Sequence, residues 1–277
     1  MSGRLAGKVA FVTGAARGQG RSHALRLAEE GADIIGVDIC DQISTAPYAL
    51  GSRAELEETA AAVEAFDRRA YFATADVRDF AQLDAALSAG IGALGRLDIV
   101  VANAGITSQA PIHEMTEDQW QDMIGVNLTG VWHTVKAAIP HLLEQGDGGS
   151  IILTASTCAT KAYPKIGHYV AAKHGVIGLM KTMALELSQH SIRVNSVSPT
   201  QVDTEMIMNE PTFKVFCPDI ESPTREDFAS ASQQTNYLPI PWVEPRDVSA
   251  AVAFLASDQA RYVTSVNLPV DAGCLLK

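Results

Sequence analysis

Tyr169 and Lys173 stand four residues apart in the segment GHYVAAKHG. On a helix that spacing places both side chains on one face. A free phenol has a pKa of about 10 and is a poor base at neutral pH. An ammonium beside it favours the phenolate, which makes Tyr169 a usable general acid/base. Any helix can carry such a pair by accident, so the reading depends on a partner. Ser156 is the candidate: it closes the apolar run GSIILTAS (149–156), thirteen residues before Tyr169. Its hydroxyl would hydrogen-bond a substrate oxygen and orient it. Thr154 and Thr157 are alternatives to it, and Tyr163 is the fallback base. Asn127, in IGVNLTG, lies in a helical stretch, where Asn is disfavoured. It either kinks the helix, holds a water near Lys173, or is a buried structural amide.

A second group of residues suits phosphate and ribose. TGAARGQG (13–20) follows an apolar run and opens a helical stretch. Its glycines allow positive φ and let backbone N–H groups approach a pyrophosphate at a helix N-terminus. The candidate contacts are Gly14, Arg17, Gly18, Gln19 and Gly20, spaced GxxxGxG rather than GxGxxG. Asp38 ends the next apolar run, 24 residues after Gly14. A carboxylate there accepts from an adenosine ribose diol and repels a 2′-phosphate. Arg17 pulls towards that phosphate, but Ile39 offers no second cation, so the balance favours NAD over NADP. Asp76 is placed to accept from the adenine amine, with Val77 packing the ring. Asn103, Ala104 and Gly105 are small enough for a cofactor ribose to pass close to the backbone.

These residues need a scaffold that brings them to one edge. Apolar runs at 8–14, 32–39, 69–77, 96–105, 149–156, 192–199 and 265–270 read as strands. Helical patterns at 21–30, 56–66, 80–91, 163–190 and 246–256, and two within 116–145, alternate with them. That alternation is the βαβ signature of a mostly parallel sheet. The expected fold is an α/β doubly wound, seven-stranded Rossmann sheet, with one domain over residues 1–277. Two segments break the rhythm. Residues 41–54 read as a loop, and residues 200–244, with five prolines, read as a substrate loop or lid. Met206, Ile207, Met208, Phe213, Val215, Phe216 and Trp242 from that segment are expected to line an apolar pocket.

Composition narrows the function classes. The 32 acidic and 21 basic residues give a net charge of −11, with no basic run, which removes the electrostatic basis for binding nucleic acid or an anionic membrane. Cys40, Cys158, Cys217 and Cys274 are scattered, as expected of reduced thiols in a cytoplasmic protein. No Cys/His spacing suggests a metal, and no apolar run is long enough to span a bilayer. No nucleophile elbow favours a hydrolase. His168 and His174 flank the Tyr/Lys pair but point off its face, so helix surface or a subunit contact is expected for both.

Taken together, TGAARGQG (13–20), Asp38, Asp76 and Val77, Asn103–Gly105, Asn127, Ser156 and YVAAK (169–173) resemble the short-chain dehydrogenases/reductases. The resemblance implies Tyr169 as acid/base and Lys173 as a nicotinamide-ribose ligand that lowers the phenol pKa. It also implies a substrate-binding Ser156 and a proton-relay water on Asn127. Pro199, Thr200, Val202 and Thr204 match the segment that closes over the nicotinamide. A homotetramer paired through long helices is implied as well. The extended region VDICDQISTAPYALGSRAELEET (37–59) is similar to the mycofactocin-coupled, carveol dehydrogenase-like members. That likeness implies tightly held NAD covered by the insertion, recycled in place by mycofactocin or another redox partner. It also implies a small apolar alcohol or ketone as substrate. The alternatives are a freely exchanging NAD(P)-dependent reductase and a non-catalytic NAD-binding regulator. In VDAG (270–273), Ala272 replaces a glycine common in relatives and is expected to leave the fold undisturbed.

Overall fold

A computed structural model of the chain describes residues 3–277. Seven strands form one sheet: β1 (Val9–Thr13), β2 (Asp33–Asp38), β3 (Ala70–Thr74), β4 (Ile99–Ala102), β5 (Gly149–Thr154), β6 (Ile192–Pro199) and β7 (Asn267–Val270). Their order is β3-β2-β1-β4-β5-β6-β7 and every pairing is parallel. The expected doubly wound Rossmann sheet is therefore present. The chain reverses its direction of travel between β1 and β4, and ligands of such sheets bind in the crevice beyond the strand ends at that point. β1 and β4 are buried along their whole length. This is why they read as unbroken apolar runs rather than as alternating ones.

Helices α1 (Gly18–Glu29), α2 (Arg53–Glu64), α3 (Phe80–Leu94), α4 (Glu117–Ile124), α5 (Gly130–Gln145) and α6 (Gly167–Leu187) cover the two faces together with α9 (Pro245–Ala256). Two apolar clusters result. One packs α3, α5 and α6 on the sheet around Phe11, Ile35 and Ile151. The other packs α1 and α9 on the opposite face around Ile34, Ile99 and Ile152.

Local chemistry sets several boundaries that periodicity alone placed elsewhere. α1 begins inside the glycine turn, at Gly18, three residues before the expected start. α2 begins at Arg53 because Ser52 and Glu55 form a capping box. α4 and α5 are joined by a π turn, Gly125–Thr129, that contains Asn127. The segment 200–244 is more ordered than its prolines suggest. It carries α7 (Glu210–Phe216), capped by Asn209, and α8 (Arg225–Gln233), capped by Thr224. Ala272 has φ 50°, a left-handed conformation that disfavours any residue but glycine. Its replacement of glycine is thus a small local strain and not a neutral change.

Candidate functional site

The glycine turn leaves β1 with Gly14 at φ +70°, where a Cβ would lie 3.0 Å from Ala104 Cα. At Gly20 a Cβ would fall 1.8 Å from the Gly14 carbonyl oxygen. Bare backbone therefore crosses the β1/β4 crevice at the start of α1, as pyrophosphate binding requires. Thr13 fastens the turn to β4: its hydroxyl accepts from Asn103 N (3.0 Å) and Ala104 N (3.1 Å), and its carbonyl accepts from Asn103 Nδ2 (3.0 Å).

Asp38 reaches the same crevice from the end of β2. One carboxylate oxygen accepts from Ala16 N at 3.0 Å and the other from Cys40 N at 3.2 Å. Burial raises its pKa, opposed by those amides and by Arg17. Arg17 also donates to the Ala49 carbonyl of the inserted segment. The insertion is a folded loop. The Gln42 amide donates to the carbonyls of Ile43, Ala46 and Tyr48 and accepts from Leu50 N. The Tyr48 phenol is buried, its pKa pushed up to about 12, and it accepts from Thr107 N at 3.0 Å.

Gly14, Arg17, Gly18, Gln19, Gly20, Asp38, Ile39, Asp76, Val77, Asn103, Ala104, Gly105 and Thr204 all line one cleft. So do Ile43, Tyr48 and Leu50 of the insertion, which the candidate contacts omitted. A run of 14 residues without periodicity gives no sign of which side chains turn inwards. A dinucleotide fits the cleft. Gln19 Oε1 is buried there without a hydrogen-bond partner, and the glycine turn presents its backbone. Asp76 reaches this cleft with its carboxylate paired to Arg78, which also bridges to Asp122 at 2.7 Å.

The second half of the site lies beyond β5. Ser156 caps a short 3-10 turn, accepting from Cys158 N at 3.1 Å. Its hydroxyl also lies close enough to the Tyr169 phenol to favour the phenolate. Burial dominates, however, and raises the Tyr169 pKa. Lys173 is buried and its ammonium lies 5.5 Å from the Tyr169 ring centroid, donating to the Thr154 carbonyl at 2.8 Å. Burial lowers its pKa to about 8, partly opposed by Cys158. Desolvation thus outweighs the phenolate-favouring effect expected of this pair.

Asn127 serves as a buried clamp. Its amide donates to the carbonyls of Ile106 (3.0 Å) and Met123 (3.2 Å), and its oxygen accepts from Ile106 N at 3.3 Å. Those bonds match the buried structural amide weighed for it and occupy its side chain at the π turn. Pro199 ends β6, Thr200 N donates to the Val270 carbonyl at 3.2 Å, and Val202 forms a bridge with Val243. Thr204 packs its methyl towards Gly18.

Two further placements differ from the sequence reading. His168 is fully buried and bonded to Ser108 Oγ at 3.0 Å, while His174 is exposed. Tyr163 faces Cys274 Sγ at 3.4 Å, and burial raises its pKa. Phe213, Phe216 and Trp242, each half-buried, gather around the buried Phe228 within the 200–244 segment. Met206 alone of the expected apolar set reaches the nucleotide cleft.

Comparison with known proteins agrees with this geometry. Residues 8–214 match the short chain dehydrogenase family. The chain is 56% identical over 275 residues to (−)-trans-carveol dehydrogenase of Rhodococcus erythropolis, covering 99% of each chain. A crystal structure of carveol dehydrogenase from Mycobacterium avium in complex with NAD superposes with a TM-score of 0.98 at 59% identity, covering 99% of this chain and 100% of that one. A short chain dehydrogenase from Mycobacterium paratuberculosis bound to NAD gives 0.91 at 44% identity, covering 99% and 100%. The fold, the switch-point cleft and these matches together place the chain in the short-chain dehydrogenase family.

Proposed function

We propose that this enzyme oxidises an apolar secondary alcohol to a ketone, or the reverse, with NAD as hydride partner and Tyr169 as general acid/base. The observation that carries the proposal is the buried Lys173 ammonium, held at 2.8 Å by the Thr154 carbonyl and 5.5 Å from the Tyr169 ring centroid, beside Ser156 just beyond β5. NAD, when bound, would supply the hydride acceptor. The glycine turn would hold its pyrophosphate and Asp38 its adenosine ribose. Ser156 would fix the substrate hydroxyl, and Tyr169 would take its proton. A phenol whose pKa is raised by burial needs a neighbouring positive charge to do this at moderate pH, and the Lys173 ammonium would supply it.

The names of the relatives support a terpenoid-type, apolar substrate. The pinned insertion supports a slowly exchanging NAD recycled in place by mycofactocin or a similar redox partner. Trp132, Leu143 and Leu185, exposed on α5 and α6, support pairing of subunits through those helices in a homotetramer. The test combines an alcohol panel with release of labelled NAD from the purified enzyme. Apolar cyclic alcohols should be oxidised best, and NAD should leave more slowly than turnover with an added electron acceptor. Preference for charged or sugar substrates would refute the substrate reading. Rapid NAD exchange with full turnover on free NAD would refute the recycling reading and leave a conventional dehydrogenase.

A further inference from the structure

Tyr169 is the third residue of α6, and the start of that helix is unusual. Ile166, its N-cap, has no side chain to accept from the first turn, and the residue before it, Lys165, has φ 66° in the left-handed region. Helix starts leave their first N–H groups without partners, and an uncapped first turn frays unless something else holds it. A fraying first turn is incompatible with a phenol that must meet a substrate oxygen within a few tenths of an ångström.

One loop braces this start through side-chain and main-chain contacts around the first turn. Residues 106–112 follow β4 and lay three successive contacts on the start of the helix. The Ser108 hydroxyl bonds His168 Nε2 at 3.0 Å, with both residues buried. Ala110 N donates to the Lys165 carbonyl at 2.8 Å. Ile112 seats its Cδ1 against Gly167, where any Cβ would be only 2.7 Å away. The other end of the loop is fixed independently, by Asn127 on both polar groups of Ile106 and by the Tyr48 phenol on Thr107 N. Burial lowers the His168 pKa, and its Nδ1 makes no well-formed hydrogen bond among the described residues. The Ser108 bond is thus the anchor of an otherwise orphaned ring.

We propose that the 106–112 loop stands in for a cap on α6 by bracing its first turn rather than by accepting from its N–H groups, and that the His168–Ser108 hydrogen bond is a positioning contact that sets the place of Tyr169. The catalytic part rests on Tyr169 being the acid/base. The same contacts make the loop a splint between the Asn127 clamp, the insertion and the helix of the reacting phenol.

The test uses the full-length enzyme with Ser108→Ala, His168→Leu, His168→Gln and Tyr169→Phe. Glutamine carries an amide near the place of Nε2, whereas leucine fills the space without bonding. Loss of the bond in Ser108→Ala or His168→Leu should lower kcat roughly tenfold, the scale of one misplaced or lost polar contact. NAD affinity should stay within about twofold, since the glycine turn and Asp38 are remote from the change. Amides of residues 165–172 should exchange hydrogen faster, and His168→Gln should bring kcat back to within about threefold of the parent. Unchanged kcat in Ser108→Ala, or a glutamine variant no better than leucine, would overturn the positioning role. Unchanged exchange at residues 165–172 would overturn the cap. Undiminished turnover in Tyr169→Phe would instead defeat the acid/base reading, while the exchange data would still judge the cap.

Discussion

On the β3-β2-β1 side of the switch point, polar side chains close onto main-chain groups. Asp38 takes two amides, Thr13 takes two more, and Gln42 gathers the insertion around its own amide. Beyond β5 the balance is different. Tyr169 is desolvated, and Lys173 is a buried ammonium with a single carbonyl for company. A dinucleotide presents the same charges and hydroxyls in every catalytic cycle, so a preset polar frame suits it. Proton transfer, the role proposed for Tyr169, needs a group whose ionisation changes during the reaction, and burial raises the pKa of that phenol. On the proposed function, the first half serves affinity and the second a change of charge.

The sharpest way to break this contrast is to remove one oxygen. Tyr169→Phe leaves the ring packing in place and takes away only the atom that moves the proton. Turnover should fall by about 10²–10⁴ or more, the range for a general acid/base. Nucleotide affinity, measured by fluorescence titration of NADH, should hardly change. A parallel fall in affinity would show that the two halves are not separable.

The mirror experiment is Gly20→Ala. Its Cβ would sit 1.8 Å from the Gly14 carbonyl oxygen, so the turn must open. Backbone, unlike a long side chain, has no rotamer by which to escape. NADH affinity should drop by at least about tenfold, equivalent to roughly 1.4 kcal/mol. Turnover at saturating nucleotide should fall less than affinity does. Unaltered affinity would mean that the turn does not carry the pyrophosphate.

The same contrast explains what could be read from the sequence. Strands buried on both faces and glycines at strand ends leave unbroken local patterns, so the sheet, the turn and Asp38 were legible. Ser156 and Tyr169 were legible too, because a parallel strand and its return helix must meet at the same sheet edge. Residues whose surroundings come from distant chain were harder to read. The Asp76–Arg78 pair is joined by Asp122 from α4. His168 was expected at the surface; only Ser108, 60 residues away, reveals its place. That Phe213, Phe216 and Trp242 gather on Phe228 also leaves no local sign. Aromatic content predicts burial but not against what.

The smallest expected effect concerns a buried group of the nucleotide half that, like Gln19, lacks a partner for one polar atom among the described residues: His23, on α1. The ring is completely buried between α1 and α9, with Nδ1 on Ser249 Oγ at 2.8 Å and Nε2 without a partner. Burial lowers its pKa to about 3. In the unfolded chain the imidazole titrates near its ordinary value of about 6.5. As pH falls below that value the unfolded state takes up a proton that the folded state refuses, so stability drops with decreasing pH until about 3, where the folded ring also titrates. Between pH 6.5 and about pH 5 this one group should cost up to about 2 kcal/mol. His23→Asn keeps an amide near Nδ1 for Ser249 but cannot titrate. Urea unfolding at the two pH values should therefore show a smaller loss for the variant than for the parent. Glu30 and His168 titrate alike in both proteins and cancel in that comparison, as long as their surroundings are unchanged. Equal losses in parent and variant would mean that the ring gains a proton partner on acidification, and that this half of the molecule also holds a group that changes charge.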